Sequence, residues 1–256
     1  MGKGVGSALM NEAIRLAKEL GCRKIMLGTT EGNERAVRLY KKFGFKIEAY
    51  EDDGVYIEGS WRKNYIMGLE LAPCEPKLER PLLTHLPTSL PATSKADINV
   101  RQLMEHDLDE LHRLQNCTES TKSSHRIPPI TKEEAKRWYE ELKSMEGKYC
   151  IACFKGDKIL GYLRFRAGFL PFPSPRFEEA IVDVNEMPYE SADAIVRAVK
   201  DFRERYGYRR IFAYIPETSS PIVGALEHHS FNKAGAMKCY YFVDGYYVDV
   251  ALYGYP

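Results

Sequence analysis

Residues 1–7 of the chain read MGKGVGS, and they run without a break into a helical pattern. Over 7–20 the apolar residues recur at helical spacing, and Gly21 is placed to end the helix. A glycine run at a helix start offers unpaired backbone N–H groups together with the positive end of the helix dipole. The opening of the sequence therefore predicts a turn that can hold phosphate groups.

A strand, a second helix and two further strands follow this opening. Residues 24–29 read as a short buried strand, and Asn33 can cap a helix that ends at Gly44. Two more strands are predicted over 45–50 and 64–71, with the turn between them at 52–54, Asp-Asp-Gly.

Residues 72–96 separate two units of the sequence. They contain five prolines among serines and threonines and have no periodic pattern, which predicts a semi-extended linker. We therefore predict a first unit over 1–71 and a second unit over 97–256. The second unit reads as a strand, two helices, a hairpin, a strand, a helix, a strand, a helix and paired strands.

The two units contain an internal repeat at a spacing of 186 residues. At this spacing the segment GCRKI at 21–25 aligns with GYRRI at 207–211. The informative differences are that Gly2, Gly4 and Gly6 align with Pro188, Glu190 and Ala192, while Asn33, Tyr40 and Gly44 align with Ser219, Leu226 and Ser230. The second copy therefore keeps the apolar scaffold but lacks the features that could hold a cofactor.

In its glycine loop and in the segment that begins at Asn33, the first unit resembles the GNAT superfamily of acyl-CoA-dependent N-acyltransferases. The family's pyrophosphate loop reads Arg/Gln-x-x-Gly-x-Gly/Ala, and residues 4–6 fit its second half, with Met1 at the Arg/Gln position. The second family signature is similar to residues 33–45, NERAVRLYKKFGF. The resemblance implies an α/β (α+β) fold: a GNAT-like mixed, mostly antiparallel sheet flanked by helices, in two units of which the first is incomplete.

The resemblance also implies a co-substrate and the residues that bind it. Main-chain amides would hold the pyrophosphate of acetyl-CoA, Asn33 would bond its pantetheine arm, and Tyr40 would act as the catalytic acid that protonates the leaving thiolate. The cofactor-binding residues so implied are Gly2, Lys3, Gly4, Val5, Gly6, Ser7 and Asn33. The family reaction is direct attack of an amine on the thioester carbonyl, and it requires no metal.

The first unit also departs from the family pattern. In the family, the central strand with its oxyanion-stabilising amide, the carboxylate base and the substrate-binding helices all precede the pyrophosphate loop. Three explanations stay open: the rest of the domain is encoded upstream, a second chain or the second unit completes the sheet at its exposed edge, or the half-domain folds alone. The second unit resembles a whole GNAT domain, and we interpret it as a degenerate copy.

The sequence favours an N-acetyltransferase that acts on an amine acceptor, either a small molecule or a peptide. The alternative is a non-catalytic GNAT remnant that serves as a binding or interaction module. A net charge of +1 gives no indication of a nucleic-acid or membrane partner, and no stretch is long and apolar enough to span a bilayer. We therefore expect a cytoplasmic protein whose open sheet edge can recruit a second copy into a homodimer.

Several polar residues outside the motifs are expected to be structural. Cys150 and Cys153 lie in one strand-like run and point to opposite faces, so they form no metal site. His228 and His229 have no cysteine or carboxylate at ligand spacing, so no metal is expected there either. Solvent exposure or turn formation is expected for Glu178, Glu179, Asp183 and Glu186, and solvent exposure for the pair at 209–210, Arg-Arg.

Overall fold

A computed structural model describes residues 4–73, 98–121, 124, 128–168, 172–243 and 246–256 of the chain. Gly2 and Lys3 of the predicted phosphate turn lie outside these residues, and so does the predicted linker beyond Pro73. Among the helices of the described residues, none combines the length and the hydropathy that a membrane span needs.

The first unit, here residues 4–73, consists of two helices and three strands. They are α1 (Val5–Glu19), β1 (Lys24–Thr30), α2 (Glu34–Lys42), β2 (Lys46–Ile57) and β3 (Ser60–Glu70). Gly21 ends α1 in the left-handed conformation, at φ 71°, and Cys22 donates its N–H to the carbonyl of Ala17 at 2.8 Å. The predicted order of elements is confirmed.

The turn between β2 and β3 is not where the sequence predicted it. The chain turns at Glu58 and Gly59, whose φ angles of 50° and 77° suit a two-residue hairpin loop. Residues 52–54 instead lie within β2, where the register against β3 shifts between Glu51 and Val55. Both segments, 52–54 and 58–59, carry turn-forming residues. Residues 52–54 stay inside the strand because Glu51 and Asp53 contact the second unit, as described below.

The second unit, here residues 98–256, contains seven strands and five α-helices among the described residues. They are β4 (Ile98–Gln102), α3 (Leu108–Gln115), α4 (Thr118–Thr121), α5 (Lys132–Ser144), β5 (Lys148–Lys155), β6 (Lys158–Arg166), β7 (Arg176–Val182), α6 (Pro188–Tyr206), β8 (Ile211–Pro216), α7 (Ser220–His228), β9 (Asn232–Val243) and β10 (Tyr246–Tyr255). The predicted hairpin of β5 and β6 is confirmed.

All ten strands form one sheet, in the order β1-β3-β2-β9-β10-β8-β7-β6-β5-β4. Every neighbouring pair is antiparallel except β7 and β8, which are parallel. The units meet where β2 lies beside β9, so the second unit extends the sheet at β2 and not at the free edge of β1. The predicted mostly antiparallel sheet flanked by helices is confirmed.

The hydrophobic core lies almost wholly in the second unit. One apolar cluster lies under α6 and α7, and a second lies under α3 and α5 on the other face of the sheet. Cys153 belongs to the first cluster and Cys150 to the second, so the prediction that they point to opposite faces is confirmed. A small third cluster brings Ala49 of β2 against Phe212 and Leu252.

Helix α1 lacks the cover that its repeat counterpart has. Helix α6 packs on β4, β5 and β6 and buries Ile195 and Val199 completely. In the repeat, these two residues align with Leu9 and Ala13 of α1, which has no buried residue at all. One apolar side of α1 is therefore exposed, next to the free edge of β1.

Candidate functional site

The amino terminus of α1 is an open end of a helix. Gly4 forms its N-cap in the left-handed conformation, at φ 72°, and a Cβ there would meet no atom within 4 Å. The first intrahelical bond shown runs from the N–H of Ala8 to the carbonyl of Gly4, at 2.9 Å. The preceding N–H groups thus have no partner within the helix, and no acidic residue lies in its first turn. Backbone donors with a positive dipole and no competing carboxylate suit an anion.

A close helix contact brings this end of α1 to α2. A Cβ on Gly6 would lie 3.1 Å from Cδ2 of Leu39, so the absence of a side chain at this position permits the contact. Leu39 directly precedes Tyr40 in the same helix. The glycine loop and the helix of the second motif, although more than thirty residues apart in sequence, therefore meet at this contact.

Asn33 caps α2, as the sequence predicted. Its Oδ1 accepts the N–H of Ala36 at 3.3 Å, and the residue is exposed. Because the cap uses only the oxygen, the Nδ2 group keeps both of its N–H donors for a ligand. Tyr40 is half-buried, with its ring centroid 5.9 Å from that of Phe45.

The corresponding turn of the second unit is closed. Helix α6 begins at Pro188, one turn earlier in the repeat than α1, and proline has no N–H to offer. Glu190 lies in the first turn of the helix, where α1 has no acid. Carboxylates of the preceding loop also form ion pairs: Asp183 accepts from Nη1 of Arg113 at 3.0 Å, and Glu186 pairs with lysines of the β5–β6 hairpin. These negative charges disfavour a phosphate.

The carboxylates of this region are less exposed than expected. Glu179 is 4% exposed and lies within β7, so the expectation of solvation or turn formation was wrong for it. Asp183 is 3% exposed, but it forms a turn, because its Oδ1 accepts the N–H of Asn185 at 3.1 Å. The strands β7 and β8 pair only at their start, through Arg176 and Phe177, and then diverge. The gap between them has a volume of about 10 Å³, which is room for one water molecule.

His228 and His229 have a carboxylate partner that the sequence did not reveal. Oδ1 of Asp193, on α6, lies 3.2 Å from Nδ1 of His228 and 2.8 Å from Nε2 of His229, and Arg197 donates to Oδ2. Burial works against the charge of Asp193, but Arg197 and His229 lower its pKa. Burial also lowers the pKa of His229, although Asp193 opposes the shift. The sequence showed no carboxylate at ligand spacing from these histidines, and helix packing brings Asp193 to them across 35 and 36 residues.

A buried carboxylate links the two units. Glu51 of β2 is completely buried, and its Oε1 and Oε2 accept from Nε and Nη2 of Arg176 at 2.7 and 2.9 Å. Tyr214 of β8 donates its hydroxyl to Oε1 at 2.9 Å, and Asn64 of β3 donates to Oε2 at 2.9 Å. Burial and the charge of Glu51 raise the pKa of Tyr214 well above its usual value, so the phenol stays a donor. No sequence pattern marks Glu51, because two of its partners, Arg176 and Tyr214, lie more than a hundred residues away.

A second acidic residue of β2 reaches the basic pair at 209–210. Asp53 accepts from Nε of Arg209 at 2.9 Å and from Nη2 of Arg210 at 3.3 Å. Burial opposes the charge of Asp53, but these two arginines lower its pKa. The basic pair was expected to be solvated: the Arg209 side chain is 54% exposed, as expected, and that of Arg210 is 27% exposed, but both arginines also bind the first unit.

Two family models match this chain. One, described as Acetyltransferase (GNAT) family, matches residues 1–45, and the other, described as Acetyltransferase (GNAT) domain, matches residues 100–252. The second match alone covers more than half of the chain.

Curated relatives match a short part of the chain. An uncharacterised N-acetyltransferase of Bacillus subtilis is 41% identical over 51 residues, which are 20% of this chain and 33% of that protein. An uncharacterised N-acetyltransferase of Mycobacterium bovis is 41% identical over 46 residues, 18% of this chain and 30% of that protein. The chain thus spans about a third of the length of the curated relatives it matches.

Solved structures are similar over a larger part of the chain. A spermidine N-acetyltransferase from Vibrio cholerae, in complex with CoA and spermine, has a TM-score of 0.54 at 18% identity over 62% of this chain and 94% of that one. An N-acetyltransferase from Staphylococcus aureus has a TM-score of 0.53 at 19% identity, over 62% and 97%. A phosphinothricin acetyltransferase from Sinorhizobium meliloti, in complex with AcCoA, has a TM-score of 0.51 at 15% identity, over 62% and 88%. At these identities the likeness shows the fold.

Proposed function

The chain belongs to the GNAT family of acetyltransferases, and from this membership we propose that it transfers an acetyl group from acetyl-CoA to an amine. The observation that carries the proposal is the contact of Gly6 with Leu39. This contact brings the open amino terminus of α1 to α2, which Asn33 caps and which carries Tyr40. The family binds its co-substrate with the corresponding helix terminus and side chains. Two solved neighbours that bind CoA or AcCoA support the same co-substrate.

Each part of the site would act on a different part of acetyl-CoA. The free N–H groups at the start of α1, those of Val5, Gly6 and Ser7, would donate to the pyrophosphate. Nδ2 of Asn33 would donate to a carbonyl of the pantetheine arm while Oδ1 keeps the helix cap. Tyr40 would give its proton to the thiolate as the acetyl group leaves.

The acceptor belongs to the same proposal. A primary amine, on a small molecule or on a peptide, would attack the thioester carbonyl, so that the C–N bond forms as the C–S bond breaks. The amine would lose a proton to a base, and CoA would leave as the thiol. The Vibrio cholerae neighbour, with spermine in its structure, supports an amine acceptor.

A thermal-shift titration with acetyl-CoA tests the proposal. At a concentration of about 100 Kd the ligand adds about 2.7 kcal/mol of stability, which raises the melting temperature by roughly 5–10 °C in a chain of this size. Asn33→Ala should reduce the shift, whereas the matched variant Ser219→Ala, at the same position of the second copy, should keep it. If millimolar acetyl-CoA leaves the wild-type midpoint unmoved, the non-catalytic alternative takes the place of this proposal.

We also propose that the free edge of β1 and the exposed side of α1 pair with a second copy of the chain. Leu9, Leu16 and Leu20 are 67%, 44% and 78% exposed. A twofold axis beside β1 would set the two β1 strands antiparallel and the two α1 helices on one face of the joined sheet. It would cover the edge and the leucines together. A pairing of β1 with the other free edge, β4, would leave the α1 leucines uncovered and the assembly open.

Light scattering after size-exclusion chromatography tests this homodimer. The wild-type chain should elute with twice the mass of the monomer. A variant that combines Leu9→Lys with Leu16→Lys should be monomeric, and the control Asn11→Lys, at an exposed polar position of the same helix, should stay dimeric. A wild-type monomer at high micromolar concentration would refute the dimer.

A further inference from the structure

The first unit has a small core of its own. Its buried hydrophobic residues are Val37, Phe45, Ala49, Val55 and Met67, whereas the second unit holds the two large apolar clusters. The cluster to which the first unit contributes a buried residue, Ala49, is completed by Phe212 and Leu252 of the second unit. Few buried side chains provide little hydrophobic stabilisation, so the first unit needs another source of stability.

That source lies at Glu51. Three of the four hydrogen bonds to its carboxylate come from the second unit, two from Arg176 and one from Tyr214. A carboxylate that is 0% exposed would be strongly destabilising without these partners. Nη2 of Arg176 also donates to the carbonyl of Gly54 at 2.7 Å, so the same guanidinium holds the bulge of β2. The burial of Glu51 therefore requires a folded second unit.

The dependence has one direction. Arg176 has a second carbonyl partner within its own unit, Ser174 at 3.1 Å, and its guanidinium lies 4.8 Å from the ring of Phe172. The second unit thus partly satisfies this arginine and packs its own core without the first unit. Among the described residues of the first unit, the one hydrogen-bond donor to the Glu51 carboxylate is Asn64. Loss of the pair should accordingly weaken the first unit more than the second.

We propose that the second unit serves as the folding scaffold of the first, cofactor-binding unit. The hydrogen bonds of Glu51 attach the first unit to this scaffold. The first unit then cannot remain folded when the second unit unfolds, whereas the second unit can remain folded when the first is released. This role stands apart from acetyl transfer, and it gives a use to the copy whose phosphate turn is closed.

The two tryptophans of the chain report on the two units separately. Trp61 lies on β3 of the first unit, and Trp138 lies on α5, with its side chain in the core of the second unit. In a Trp138→Phe background the fluorescence of Trp61 follows the first unit, and in a Trp61→Phe background Trp138 follows the second. Urea unfolding is recorded in both backgrounds, on the full chain.

The expected pattern is asymmetric. Leu163→Ala, in the core of the second unit, should lower the midpoints of both tryptophans together. Glu51→Ala should lower the midpoint of Trp61 by about 1 M urea or more and leave that of Trp138 nearly unchanged. Glu51→Gln, which keeps the shape and removes the charge, should give a smaller shift in the same direction. The control Asp52→Ala, at the exposed neighbouring position, should shift neither midpoint.

Two results would overturn the scaffold role. If Leu163→Ala lowers the midpoint of Trp138 while Trp61 keeps its own, the first unit folds without the second. If the Trp61 midpoints of Glu51→Ala and Glu51→Gln equal that of the control Asp52→Ala, the buried carboxylate does not attach the first unit to the second.

Discussion

Ala49 of β2 and Gly235 of β9 are the residue pair through which the sheets of the two units become one. A Cβ on Gly235 would lie 2.3 Å from the carbonyl oxygen of Glu48 and 2.6 Å from Cα of Ala49. The two backbones can therefore approach only because position 235 carries no side chain. Beside this contact, Nζ of Lys24 forms an ion pair with Glu48 at 2.7 Å, almost out of solvent.

Gly235→Ala should weaken the junction of the two units. The new methyl group would overlap backbone atoms, and overlap of this kind typically costs about 1–3 kcal/mol. Gly254→Ala is the matched control, because a Cβ there would lie an ordinary 3.8 Å from the ring of Phe212. Urea unfolding measures the difference, and equal stability of the two variants would contradict the role given to Gly235.

Tyr214→Phe should lower the free energy of unfolding by about 1–3 kcal/mol. The substitution removes one donor from the buried carboxylate of Glu51 and leaves the ring packing in place. Tyr255→Phe is a suitable control, since the Tyr255 hydroxyl makes no hydrogen bond with the described part of the chain. Chemical denaturation of both variants tests this, and an unchanged midpoint for Tyr214→Phe would show that Arg176 and Asn64 satisfy Glu51 without the phenol.

Gly4→Glu should lower the affinity for acetyl-CoA at least tenfold. A carboxylate at the open end of α1 would repel the pyrophosphate and compete for the N–H groups. Gly4→Asn separates charge from backbone strain, because asparagine tolerates the left-handed conformation and a Cβ at this position has free space. Isothermal titration calorimetry compares the affinities of the three proteins. Equal affinity of the wild type and Gly4→Glu would show that the pyrophosphate does not bind at the amino terminus of α1.

Tyr40→Phe should lower turnover by about 10²-fold and leave the thermal shift with acetyl-CoA unchanged. The phenol would act on the departing thiolate, so its loss affects the transition state more than the bound ground state. The rate of CoA release with a panel of primary amines gives the turnover. Tyr56→Phe, on the exposed part of β2, should behave as wild type, and a Tyr40→Phe enzyme of full activity would remove Tyr40 from the mechanism.

His229 should make the stability of the protein fall below neutral pH. Its pKa in the folded state lies below the ordinary 6.5, chiefly because of burial, so the unfolded chain binds the proton more tightly. The contribution of neutral His229 to the free energy of unfolding is then greatest above pH 6.5, and it is lost as the pH falls through the pKa of the folded state. Asp193, Lys200 and His228 act on this ring, and Asp193 opposes the effect.

His229→Gln should flatten this part of the pH profile. The comparison is urea unfolding of both proteins at about pH 7 and about pH 5.5, where histidine changes its charge. The wild type should lose more stability over this interval than the variant does. Parallel losses in the two proteins would assign the acid sensitivity to other groups.

The amino-acid sequence determined the local elements of the structure. Gly21 ends α1 because only glycine adopts that backbone conformation without strain, and Asn33 caps α2 through its own side chain. Such features depend on neighbours within a few residues, so a sequence pattern reports them. The same holds for the alternation within β5, which predicted that Cys150 and Cys153 point to opposite faces.

Only the tertiary structure decided how the two units are joined and which charged groups are buried. Glu51 meets Arg176 across 125 positions of sequence, and Asp193 meets His229 across 36. The turn after β2 was misplaced for the same reason, since residues 52–54 have the composition of a turn and distant arginines hold them in the strand. A carboxylate looks alike in a sequence whether water or a guanidinium surrounds it, and the difference arises only when the chain folds.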